Sequence, residues 1–228
     1  MMHDPNIEAL ETISHAILPL LDKLVLVGGC AVGLLISDSG RSTIRPTLDV
    51  DLITEVAPLV NYYKLCDELR NLGFREEEGG NICTWKKGGM LVDVMPIDEK
   101  ILGFTNYWYP LAVETSTESR LPSGIVVRHV TAPLFVATKI ESFHDRGNGD
   151  FTHHDIEDVI TLVDGRPELI REVRESPEEL RSFIAEEIDS MLSQTTFTDA
   201  IPWLLKPDAS EQARAPIILE RLRTLAGF

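Results

Sequence analysis

The run Arg45-Pro46-Thr47-Leu48-Asp49-Val50-Asp51-Leu52-Ile53 alternates apolar and acidic side chains, and no other stretch constrains the fold as strongly. In an extended strand, successive side chains point to opposite faces. Leu48, Val50 and Leu52 are therefore expected to be buried on one side, with Asp49 and Asp51 together on the other. Two like charges side by side raise each other's pKa unless a cation neutralises them. Carboxylate oxygens with open positions suit Mg²⁺ or Mn²⁺. The same pair on the solvent face of an edge strand would have no chemistry at all, so the rest of the chain decides between the two readings.

The 228 residues are 43% hydrophobic and 25% charged, which is enough apolar side chain for a sizeable core in a globular protein. No apolar run approaches the roughly 20 residues of a membrane span. The N-terminus carries no basic-then-apolar segment of the kind that directs secretion. Cys30, Cys66 and Cys83 are widely spaced and form no C-x-x-C, so they read as buried small hydrophobes in a reducing, cytoplasmic setting. The formal net charge of −16 opposes non-specific binding to nucleic acid, which relies on Lys and Arg at phosphates. Much of the acid lies between Glu168 and Asp189, interleaved with Arg171, Arg174 and Arg181 as on a solvated helix face. Docking of a basic partner is the other use of such a surface.

Apolar positions at Ile7, Leu10, Ile13, Ile17 and Leu21 predict a helix over 6–21. A strand over 23–27 follows, closed by Gly28-Gly29, and a helix over 30–36. Residues 37–46 are polar and turn-rich, and the D-x-D strand comes next. A helix over 59–72 stops at Gly73, and residues 82–86 and 90–95 form a hairpin around Lys87-Gly88-Gly89. The aromatic stretch 102–118 has no clear period, and 125–130 is a strand. From Thr131 the chain turns helical. Thr131 suits an N-cap, Pro133 suits a first turn, and further helices are expected at about 153–164, 168–174, 177–193 and 211–226. The expected organisation is an α/β half over 1–131 and a helical half over 132–228.

Three more features bear on chemistry. Gly28-Gly29 ends a strand and opens a helix, where the backbone can approach a ligand closely and helix-start N–H groups favour phosphate. Asp93 interrupts the apolar strand Leu91-Val92-Asp93-Val94-Met95, a poor place for an unpaired carboxylate unless it faces solvent or a cation. Asp155 and Asp158 lie one turn apart near a helix start, where acid is also common for dipole reasons. His144, His153 and His154 show no zinc-ligand spacing. The aromatics Phe104, Tyr107, Trp108 and Tyr109 suit core packing, or stacking on a base.

The order strand-Gly-Gly-helix, D-x-D strand, single-Asp strand resembles the DNA polymerase β-like nucleotidyltransferase superfamily, and most closely the AbiE-type abortive-infection toxins. The resemblance spans about residues 25 to 160. It rests on Gly28-Gly29, on Arg45, Thr47, Asp49, Asp51 and Leu52, on Asp93, on Pro133 and Lys139, and on His154-Asp155-Ile156-Glu157-Asp158. His154 stands where that last pattern has arginine. The resemblance implies an α/β, mixed-sheet catalytic core with a C-terminal helical domain. It implies Mg²⁺ (or Mn²⁺) held by Asp49, Asp51 and Asp93, and a nucleoside triphosphate such as ATP or GTP met by Gly28, Gly29, Thr47, Lys139, Asp155 and Asp158. The acceptor would be a tRNA or other RNA, with an antitoxin protein as partner. A small molecule such as an antibiotic is the alternative acceptor, and a non-catalytic nucleotide-binding protein of the same fold is the alternative class.

Overall fold

The computed structural model describes residues 4–38, 44–55, 59–79 and 81–228. Of the turn-rich stretch expected over 37–46, residues 39–43 lie outside the described residues. The chain divides into two compact units. One, the sheet unit, comprises residues 4–34 and 44–131; the other, the helical unit, comprises residues 35–38 and Ala132–Phe228.

In chain order the first elements are α1 (Ile7–Ala16), β1 (Val25–Leu26), α2 (Val32–Leu35), β2 (Asp49–Thr54), α3 (Leu59–Asn71), β3 (Arg75–Glu76), β4 (Thr84–Lys87) and β5 (Met90–Pro96). After them come α4 (Glu99–Leu102), α5 (Tyr109–Glu114), β6 (Thr117–Arg120) and β7 (Val126–His129). The seven strands form one mixed sheet in the order β3-β4-β5-β2-β1-β7-β6. β2 is parallel to β5 and antiparallel to β1, and β1 is parallel to β7. The mixed α/β fold is the class that the sequence leads one to expect.

Several boundaries differ from the sequence reading for local reasons. The first helix stops at Ala16 because Pro19 has no N–H to continue it, and a 3₁₀ turn over Leu18–Lys23 follows. β1 keeps only two residues. Gly28 then breaks the extended chain by taking φ +61° and ψ −174°, and a 3₁₀ turn over Gly29–Ala31 leads into α2. The β4–β5 hairpin closes on Gly88-Gly89, with Gly88 at φ +62°, as a two-residue turn requires. β6 begins at the end of the aromatic stretch 102–118, beyond which no strand is expected before 125.

The sheet is amphipathic at its centre. Val50 and Leu52 are buried, and Leu10, Ile13 and Ile17 close that face, leaving a void of only about 10 Å³. Leu48 corrects the expectation from alternation. It is 90% exposed, because β2 begins one residue later at Asp49 and the chain bends at 48.

The helical unit contains α6 (Ala132–Arg146), α7 (His154–Gly165), α8 (Leu169–Glu175), α9 (Glu178–Leu192), α10 (Thr195–Ala200), α11 (Ala209–Gln212) and α12 (Ala215–Ala226). The single helix expected over 211–226 is two, because Pro216 fits only a first turn and therefore opens α12. Residues 35–38 belong here through bonds to their main chain: the N–H groups of Ser37 and Asp38 donate to the Gly165 carbonyl, and the Arg166 guanidinium donates to the Leu35 carbonyl. Arg214 adds an ion pair to the fully buried Asp164 at 2.8 Å and one to Asp38 at 3.0 Å. All three cysteines are buried and reduced. Among the described residues no helix is long and apolar enough to cross a membrane.

Candidate active site

β2 and β5 carry the acidic positions into one place. Their parallel register sets Asp51 directly beside Asp93, with Asp49 opposite Leu91 and two residues from Asp51 on the same face. The hydrophobic positions Val50, Leu52, Val92 and Val94 all turn to the packed face, which forces the three aspartates to the other. One carboxylate oxygen from each of Asp49, Asp51 and Asp93 lies within 4.8 Å of the others, and all three residues are half-buried. Carboxylates this close repel strongly, and a divalent cation is the simplest way to offset that repulsion.

Gly28 shapes the neighbouring wall. Its φ and ψ lie in a region open essentially to glycine alone, so any side chain there is strained. A Cβ at this position would also run into the Asp51 carboxylate. The strand-end glycine thus lets the main chain pass against the acid, and Val27 N–H donates to the Asp51 carbonyl at 2.9 Å to hold that approach.

The donor set fits Mg²⁺ or Mn²⁺. Three hard carboxylate oxygens converge, and the nearby thiols do not compete as soft ligands. Burial and the carboxylates beside them push Cys30 and Cys83 up to about 12, which keeps both sulfurs protonated.

Thr47 is structural in its contacts. Its hydroxyl donates to the Asp49 carbonyl at 3.1 Å and lies 3.0 Å from the Cys30 sulfur. Two residues that sequence reasoning missed act on the same region. Asn6, only 2% exposed, accepts from Thr47 N–H at 2.8 Å and donates to the Arg45 carbonyl at 2.9 Å. Nothing in the local sequence marks Asn6, since its partners lie about 40 residues away. Cys30 donates to the Asp49 carbonyl at 3.3 Å from the turn after Gly28-Gly29.

Lys139, Asp155 and Asp158 form a second constellation, within the helical unit. The Lys139 ammonium lies 2.7 Å from Asp158 and 3.1 Å from Asp155, with its side chain 6% exposed. Arg146, a third residue missed, donates to both oxygens of Asp155 at 2.8 Å from the end of α6. His154 stands where the resembled pattern has arginine, and the guanidinium that meets Asp155 is that of Arg146. Burial alone would push the Asp155 carboxyl up, but Arg146 and Lys139 outweigh it and hold it at about 2. His153 accepts from Asp155 N–H and caps α7. Nitrogens of His153 and His154 come close enough to Asp155 to suggest a metal site, but Lys139 and Arg146 already occupy that carboxylate. Of the aromatic group, Trp108 and Tyr109 are core residues, while Phe104 and Tyr107 are exposed.

Neither a family model nor a curated protein sequence matches the chain. Among solved structures it is similar to an antigenic nucleotidyltransferase-like protein from Paracoccidioides brasiliensis, at 20% identity and a TM-score of 0.51, over 88% of this chain and 94% of that one. It is also similar to the antibiotic-resistance factor ANT(2'')-Ia, at 17% identity and a TM-score of 0.48, over 82% of this chain and 95% of that one. The seven-stranded mixed sheet with its helices matches a nucleotidyltransferase-like fold.

Proposed function

We propose that the chain is a nucleotidyltransferase that moves a nucleotidyl group from a nucleoside triphosphate to a hydroxyl acceptor and releases pyrophosphate. The observation that carries this reading is the convergence of Asp49, Asp51 and Asp93 on one face of two adjacent parallel strands. Asp49, Asp51 and Asp93 hold Mg²⁺ or Mn²⁺, which when bound would offset triphosphate charge and favour ionisation of the attacking hydroxyl. Asp93 accepts the hydroxyl proton. The acceptor oxygen forms a bond to the α-phosphorus while the bond from that phosphorus to the bridging oxygen breaks, and pyrophosphate leaves with the electron pair. Gly28 and Gly29 offer backbone to the phosphates beside the acid cluster, and Thr47 keeps Asp49 in place. Lys139, Asp155 and Asp158 neutralise one another within the helical unit, and the reading gives them no step in the transfer.

The resemblance to AbiE-type toxins supports a tRNA or other RNA acceptor and an antitoxin protein as partner. The net charge of −16 favours a second reading, a small cationic molecule such as an aminoglycoside-like antibiotic, because an acidic surface repels a polyanion. Three buried, reduced cysteines fit a cytoplasmic setting. Incubation with each α-labelled nucleoside triphosphate, Mg²⁺, and either total tRNA or a set of aminoglycosides tests both. Label should enter one acceptor class, with stoichiometric pyrophosphate, and should be lost in Asp51→Ala. No pyrophosphate with any nucleotide and either acceptor removes the reading.

A further inference from the structure

We propose that Asn6 is a positioning residue for the candidate metal site, clamping the backbone that delivers Asp49. The inference rests on the nucleotidyltransferase reading and adds to it a residue more than 40 positions upstream of the carboxylate.

Asn6 sits at the N-terminal boundary of α1, where an asparagine side chain ordinarily accepts from its own helix's N–H groups. Here it makes no such cap. Its carboxamide turns instead to the segment entering β2, with the oxygen on Thr47 N–H and the nitrogen on the Arg45 carbonyl. Both polar atoms of a nearly inaccessible amide are thereby matched across one short stretch of chain, which fixes it in two directions at once. Asn6 is itself fixed. Its N–H donates to Asp4 at 2.9 Å, its carbonyl accepts from Leu10 N–H at 2.9 Å, and Gly33 leaves room for Asp4 where a Cβ would collide. From Thr47 the constraint passes through the hydroxyl to the Asp49 carbonyl, and the Cys30 sulfur, 3.0 Å from that hydroxyl, donates to the same carbonyl. The Asp49 carbonyl is therefore held by two side chains, and Asn6 fixes the stretch that delivers one of them. The exposed Leu48 between Thr47 and Asp49 packs little of its own surface, so the clamp supplies positioning that hydrophobic burial does not. Groups that orient a metal ligand from behind often matter nearly as much as the ligand.

Calorimetric titration of the full chain with Mn²⁺ tests this, alongside thermal unfolding of each variant. Asn6→Ala should weaken Mn²⁺ binding by about tenfold, the lower end of what loss of a supporting group costs. Asn6→Asp keeps an acceptor for Thr47 N–H but turns an oxygen toward the Arg45 carbonyl, so it should lose less affinity, and it carries the test if Asn6→Ala does not fold. Ile13→Val, in the buried face of the same helix, supplies the control: it should lower thermal stability and leave Mn²⁺ affinity alone. Wild-type Mn²⁺ affinity in both Asn6 variants overturns the positioning role. So does an equal loss of affinity in Ile13→Val at matched stability, which would mean that α1 packing alone is responsible. If Asp51→Ala binds Mn²⁺ as the wild type does, the metal-site reading itself fails, and the role of Asn6 with it.

Discussion

The chain holds two acidic constellations built on opposite principles. In the sheet unit, Asp49, Asp51 and Asp93 are gathered with one another at half-burial, and the strand register that gathers them works against their mutual repulsion. In the helical unit, Asp155 and Asp158 are almost fully buried, and each is met by a cation, Lys139 on both and Arg146 on the first. The second arrangement is self-neutralising and serves the folded state. The first concentrates negative charge where an ion can enter, which is the electrostatic condition for a divalent metal site. A carboxylate in this protein is therefore read by its company, not by its burial alone.

The sharpest way to break this contrast is to remove one charge from each cluster. Lys139→Ala leaves two buried carboxylates without their ammonium and should destabilise the protein by about 3–5 kcal/mol in chemical denaturation. Asp51→Asn should shift the unfolding midpoint much less, yet lower nucleotidyl transfer on the order of 10³-fold, or about 4 kcal/mol in the barrier. If the two variants exchange these phenotypes, the assignment of one cluster to stability and the other to chemistry is wrong.

Gly28→Ala probes how tightly the acid cluster is walled. The unfavourable backbone conformation and the collision with Asp51 together should cost about 2–4 kcal/mol, with loss of transfer at permissive temperature as well. A fully active Gly28→Ala would show that the backbone and Asp51 move apart freely.

Acid titration gives a smaller effect. The folded Asp155 carboxyl at about 2 lies below its ordinary value of 3.8, so its contribution is complete above pH 4 and is lost as pH falls toward 2. That loss amounts to about 2 kcal/mol, and the acid limb of the stability curve should flatten in Asp155→Asn. An unchanged limb would place the acid sensitivity elsewhere.

What was legible in the sequence was short-range. Asp49 and Asp51 announce their shared face through strand alternation, and Asp93 announces itself by standing in an apolar strand. The pairing of Asp51 with Asp93 then follows once both strands pack their valines the same way. Leu48 was misread because alternation cannot say where a strand begins. Asn6 and Arg146 were missed because each acts on a distant segment through a side chain whose local sequence is ordinary. The split of 211–226 was available in Pro216, whose ring fits a first turn and not a helix interior.

The parallel register of β2 and β5 has one further consequence. Strand pairing is discrete, so a slip of one residue would rotate Asp93 to the packed face, into the company of Leu10, Ile13 and Ile17. A chain paired that way would lose its third carboxylate and bury a charge in the same event. Val92 and Val94 act in this sense as an alignment key: the oil-facing residues of the strand verify the placement of its acid, and a wrongly assembled sheet eliminates itself before it can bind an ion.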